Sequence, residues 1–151
     1  MTEEQIKVFI DGAVRYFERV SGQPVTVEAP YLENGEPTVL ALTGVIGISG
    51  RHRGAVYFTA DLELLQALLE TMGEPDRQVD HCADLVGEVA NTLAGNARRV
   101  FGSEFLISVP RVLRENPAEI AFPRDLKLVV IPLLWLGMRA FLIVCLDKTD
   151  G

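Results

Sequence analysis

The chain has 151 residues, 48% apolar and 23% charged, which is the balance of an ordinary globular domain large enough to bury a sizeable core. With 14 basic against 21 acidic residues the formal charge is −7. An acidic chain without a basic stripe argues against nucleic acid and anionic membrane surfaces as partners, and leaves room for a partner with an exposed cationic site.

In chain order, the opening MTEEQIKVF is acidic and amphipathic, unlike a signal peptide. Thr2 with Gln5 fits a capping box, and Ile6, Phe9, Ile10, Ala13, Val14 and Phe17 recur at helical spacing. The pattern predicts a helix over residues 2–20, ended by Gly22 and Pro24. Residues 25–29 alternate as a short strand, and Asn34-Gly35 with Pro37 marks a turn. A strand over 38–49, a tight connection over 50–54 and an antiparallel partner over 54–59 follow. Asp61 is placed to cap a helix with Leu62, Leu65, Leu68 and Leu69 on one side, closed by Gly73. The polar residues 74–78 then lead into a long helix.

Beyond Gly102 come a strand over 104–109, an irregular stretch containing Pro110, Pro117 and Pro123, and a closing hairpin over 126–135 and 138–146. Pro132 cannot donate to a ladder and is expected at an edge or bulge. With Gly137 and Arg139 it also interrupts the apolar run, which does not read as a membrane span. The tail from Asp147 is expected to fray. Cys82 and Cys145 lie in separate apolar patterns without a CxxC or Cys/His cluster, so buried free thiols, no metal site and a reducing cytoplasm are expected. Both halves run helix, shorter strand, longer hairpin, an order that suggests internal pseudo-duplication although residue identity is too low to demonstrate one. Helices alternating with antiparallel hairpins imply a single α+β domain over residues 1–151, its sheet covered on one face by two long helices.

The long helix over 80–99 has the most informative surface. Val79, Cys82, Val86, Val89, Leu93, Ala97 and Val100 form one apolar stripe. At about 100° per residue, Asp84, Glu88, Asn91 and Gly95 gather on the other side with Asp80 close by. A glycine exposed in a helix interior costs about 1 kcal/mol relative to alanine, and close approach of a partner at Gly95 would offset it. Glu88 and Asn91, three residues apart, share one ridge. A carboxamide can accept a hydrogen bond from water while donating one to a phosphoryl oxygen, and a carboxylate beside it can pair with a lysine. Composition by itself favours the plainer reading of a solvated helix face.

Other signals are weaker. Gly44, Gly47 and Gly50 lead into a hairpin rather than a helix, so they are no phosphate loop, and strand bulging or close backbone approach explains them. Arg51-His52-Arg53 could meet a phosphate, but a solvated hairpin tip is the simpler account. His81 has no nucleophile to serve as a base and reads as a surface histidine, while Arg98 and Arg99 suit the helix C-terminus.

The segment Asp84-Leu85-Val86-Gly87-Glu88-Val89-Ala90-Asn91-Thr92-Leu93-Ala94-Gly95-Asn96 resembles the signature helix of the CheC/CheX/FliY family, whose core is an acidic residue, then ExxN, then a GN pair. The preceding LTGVIGISGRHRGAVYF is similar to the hairpin that CheX proteins place before that helix. The resemblance implies a phosphatase for phosphorylated CheY-like response regulators in bacterial chemotaxis. It gives Asn91 the orientation of the attacking water and Glu88 a pairing with the regulator's lysine. Asp84, Gly95 and Asn96 would support docking or helix packing. Mg²⁺ would belong to the regulator, leaving this chain without a cofactor. Two-site members carry ExxN on both long helices, whereas here Glu4 is followed by Lys7 and Glu18 by Ser21, so the likeness is to the one-site CheX branch. CheX-like proteins are homodimers joined through their sheets, to which the hairpin near Pro132 and Trp135 could contribute. The competing class is a non-catalytic adaptor that binds a regulator or a flagellar-switch component. A small-molecule enzyme is disfavoured for want of a nucleophile or cofactor motif.

Overall fold

The computed structural model describes residues 1–114 and 120–149; Pro117 and the last two residues of the tail lie outside the described residues. The elements are α1 (Glu3–Ser21), β1 (Thr26–Val27), β2 (Tyr31–Glu33), β3 (Leu42–Gly50), β4 (His52–Ala60), α2 (Leu62–Thr71), α3 (Val79–Phe101), β5 (Phe105–Ile107), β6 (Arg111–Arg114), β7 (Leu128–Trp135) and β8 (Met138–Lys148). The strands make one antiparallel sheet in the order β1-β7-β8-β4-β3-β5, with β2 also on β7 and β6 also on β3. Each half therefore lends its short strands to the other half's hairpin, and the order reads alike from either edge. The expected α+β architecture holds, with the helices on one sheet face.

That face contains the main core, where Phe9, Phe17, Phe58, Leu64, Leu65, Leu85, Leu93 and Trp135 are all essentially inaccessible to water. Fully burying a side chain of this kind contributes about 1.5–3 kcal/mol, so α3, with Leu85, Val86, Val89 and Leu93 buried, is firmly seated. On the other face Tyr57, Val130, Ile143 and Cys145 pack under Ile120, Phe122 and Leu126.

The local expectations fare unevenly. The Thr2/Gln5 capping box forms, and Gly22 ends α1 with φ 72°. Asp61 stands at the N-cap of α2, but its carboxylate accepts the Ala41 N–H instead of capping the helix. The strand expected from residue 38 starts at Leu42, and β2 and β6 have no counterpart among the expected strands. β8 runs to Lys148, and the Thr149 hydroxyl donates to the Gly50 or Arg51 carbonyl at 2.9–3.0 Å, so the tail is anchored as far as residue 149.

Pro132 lies one strand in from the edge rather than on it, facing the break between β1 and β2. Its carbonyl accepts the Glu28 N–H at 3.0 Å, and its missing donor would have pointed into the same break. Pro132 and Trp135 are both buried within the chain, while Leu136 and Gly137 at the turn of that hairpin are exposed.

A ridge on the long helix

α3 runs a little past the stretch its periodicity indicates, and the valines near its two ends, Val79 and Val100, are exposed. Between them the stripe holds, and Ala83, Leu85, Gly87, Ala90 and Ala94 are buried as well. Burial thus extends well beyond half of the circumference, and what remains is a narrow strip. Asp80, Asp84, Glu88 and Asn91 are exposed on it, with Gly95 and Asn96 half-buried. Among the described residues no hydrogen bond or ion pair engages the Glu88 or Asn91 side chain.

Three glycines explain how the ridge is held. A Cβ at Gly44 would stand 2.4 Å from the Val86 carbonyl oxygen and 3.1 Å from the Gly87 Cα, so only glycine lets β3 and α3 lie this close. A Cβ on Gly87 would come within 3.2 Å of Val112 Cγ2 and 3.5 Å of Pro110 Cβ, which sets the β5–β6 segment directly against the helix. On the far side Gly12 of α1 faces Leu93 and Asn96, where an added Cβ would make ordinary contact at 3.8–3.9 Å. Of the hairpin glycines, Gly44 and Gly50 do serve close backbone approach, while Gly47 has more room.

The strip consequently has two walls. Gly87 and Asn91 are four residues apart and about 40° apart around the helix, so Asn91 stands on the side of Pro110 and Val112. The other wall is α1, which runs antiparallel to α3, with Phe9 near Phe101 at a ring separation of 6.3 Å and Gly12 beside Asn96. The next turn of α1 brings in Tyr16, whose pKa is pushed up to about 12, first by burial and then by the negative charge of Glu88. Tyr16 therefore stays a neutral phenol beside the Glu88 carboxylate. In the sequence an aromatic at helical spacing is indistinguishable from plain core, so nothing there singles Tyr16 out. Asp80 pairs with Arg114 of β6 at 3.0 Å, a surface link between α3 and the β5–β6 wall.

The remaining sequence candidates lie elsewhere. His52 is not a solvated tip residue: it pairs with Lys148 across β4 and β8, only 7% exposed, with the rings of Phe101 and Phe105 each 5.7 Å away. Its Nδ1 has no hydrogen-bond partner among the described residues, and its pKa is lowered by burial and then by Lys148 and Arg51. His81 is half-exposed near the start of α3, its Nδ1 2.9 Å from the Asp76 carbonyl, a contact that raises its pKa. Both cysteines are free and buried, and burial raises each thiol's pKa, that of Cys145 to about 11. Among the described residues no three His, Cys, Asp or Glu side chains are grouped to hold a metal ion, and no helix is long and apolar enough to cross a membrane.

Two surface hollows lie away from the ridge, one lined by Arg51, Glu104 and Lys148 and the other by Glu33, Phe122 and Lys127. Glu88 and Asn91 line neither of these hollows. A carboxylate and a carboxamide one turn apart can hydrogen-bond to groups inside another molecule's cleft, but they enclose no substrate of their own.

The family model for the chemotaxis phosphatase CheX matches residues 42–134, which span β3 through most of β7 and include the whole ridge. No curated protein sequence matches the chain. Among solved structures, a CheC-like superfamily protein from Shewanella sp. PV-4 is 23% identical with a TM-score of 0.86, over 98% of this chain and 100% of that one. A putative chemotaxis protein from Desulfovibrio vulgaris Hildenborough is 26% identical with a TM-score of 0.82, over 95% of this chain and 97% of that one. The CheX in a CheX–CheY–BeF₃–Mg²⁺ complex from Borrelia burgdorferi shares the fold at 16% identity and a TM-score of 0.78, over 95% and 98% of the two chains. The chain belongs to the CheX family.

Proposed function

We propose that this CheX-family chain accelerates hydrolysis of the aspartyl-phosphate of a CheY-like response regulator, with Glu88 and Asn91 entering the regulator's active site. The observation that carries the reading is the ridge itself. The two side chains whose types match the family's motif stand exposed and unpaired among the described residues, on a helix braced from both sides. The Borrelia structure supports the choice of partner, since a CheX is there in complex with a CheY, beryllofluoride and magnesium.

In the reaction, water forms a bond to phosphorus while the bond from phosphorus to the aspartyl oxygen breaks. Inorganic phosphate leaves and the aspartate carboxylate is restored. The Asn91 carboxamide oxygen accepts a hydrogen bond from the attacking water, and its N–H donates to a phosphoryl oxygen, which fixes the water in line. The Glu88 carboxylate pairs with the regulator's lysine and sets the register of docking. Asp84, Gly95 and Asn96 shape the surface around the pair. Mg²⁺ is held by the regulator, and the chain works in the cytoplasm as a homodimer.

Loss of phosphate from the organism's phosphorylated regulators, followed with and without the chain, tests the reading. Acceleration by wild type and a fall of about 100-fold or more in Asn91→Ala are expected. Binding without acceleration would assign the adaptor role instead, and full activity in Asn91→Ala would refute the mechanism.

A further inference from the structure

Val109 is 80% exposed, more than any other large apolar side chain among the described residues. It is not on a loose loop. The Ser108 N–H donates to the Gly47 carbonyl at 2.9 Å, and Ser108 Oγ accepts the Gly47 N–H at 2.8 Å. The same hydroxyl lies 2.9 Å from the Val109 carbonyl. On the other side Pro110 lies against Gly87, and β6 resumes pairing with β3 at Arg111. A valine is thus fixed in solvent on a rigid knuckle, on the flank of α3 that also carries Asn91.

We propose that Val109, with Pro110, is the apolar half of the docking face, covered by an apolar patch beside the active site of the CheY-like regulator that receives Glu88 and Asn91. The inference rests on the phosphatase reading above. Its physical basis is area and continuity. A specific interface covers about 800 Å² on each partner, which one strip of helix cannot supply, so the contact spreads onto a wall. The α1 wall offers little apolar surface beside the ridge, because Gly12 and Tyr16 are already buried and the neighbouring exposed residues, Asp11, Arg15 and Arg19, are charged. The knuckle is rigid, apolar and unburied, so covering it removes apolar surface from water at little ordering cost. The ridge contributes the charged and polar half through Asp84, Glu88 and Asn91, and the knuckle makes the face two-part.

The test measures binding of wild type, Val109→Ala, Val109→Asp and Asn91→Ala to regulators activated with beryllofluoride and magnesium, alongside rates of phosphate loss. Leu32→Asp, exposed on β2 by the opposite sheet edge, is the control. Val109→Ala should weaken binding about tenfold, as expected for two methyl groups' worth of buried surface, and Val109→Asp should weaken it further. In phosphate release both should raise KM and leave kcat alone, whereas Asn91→Ala should lower kcat and still bind. Unchanged binding in both Val109 variants, with wild type binding well, overturns this inference and leaves the phosphatase reading standing. If wild type binds none of the organism's regulators, both fall. A smaller oligomer in Val109→Asp by sedimentation would give the knuckle to a second copy of the chain and also overturn the inference.

Discussion

Replacing Gly95 by alanine separates the needs of the folded chain from those of docking. Gly95 is the seventeenth of the 23 residues of α3 counted from Val79, well inside the helix, and a Cβ there meets nothing within 4 Å. No contact among the described residues requires glycine there. The substitution should therefore recover helix propensity, about 1 kcal/mol, and raise the melting temperature by about 2–4 °C for a chain of this size. If Gly95 provides clearance for the regulator, the same methyl group intrudes on the docked partner. Overpacking of that kind costs about 1–3 kcal/mol, or about 5–150-fold in the apparent affinity for the phosphorylated regulator. Thermal melts and phosphate-release rates over a range of regulator concentrations give both quantities on the same preparation. A variant that is more stable and equally active would refute the clearance argument. A less stable variant would refute the claim that nothing in the fold needs the glycine.

Gly44→Ala should act in the opposite sense, because its Cβ would meet the Val86 carbonyl at 2.4 Å. Helix and strand must part, and a loss of about 3 kcal/mol is expected in urea unfolding. His52 has a folded-state pKa below its unfolded value, so the unfolded chain takes up its proton first. The stability this confers is present above the ordinary histidine range near 6.5 and is lost as pH falls through the lower folded value. Urea midpoints should thus drop on acidification, and His52→Leu should flatten the slope. His81, shifted upward, contributes with the opposite sign and stays in both proteins. Tyr16 binds its proton more tightly when folded, so its stabilisation is complete below about 10 and disappears as pH rises through about 12. The ultraviolet difference titration between wild type and Tyr16→Phe should show that late ionisation, and Glu88→Gln should move it downward.

The sequence by itself determines where α1, α2 and α3 run and which side of α3 stays outside, because helical amphipathicity is written in residues three and four apart. It also determines the two central hairpins, from alternation and turn residues, and it points to Glu88 and Asn91 as neighbours on one exposed turn. It says less about strands whose partners are distant. β2 and β6 are short and exist through pairing with β7 and β3, which no local pattern reveals. Val79 and Val100 fit the apolar stripe in sequence and are exposed in fact, since periodicity does not tell which neighbours cover each end of a helix. His52 looks like a hairpin tip until Phe101 and Phe105 close over it. Only the tertiary structure sets Gly44 beneath Val86, Pro110 against Gly87 and Tyr16 beside Glu88, and so turns an exposed pair of side chains into a walled, rigid ridge. Each of those contacts joins residues more than 20 positions apart, and packing of that range is fixed by the shape of the whole core rather than by any segment of the chain.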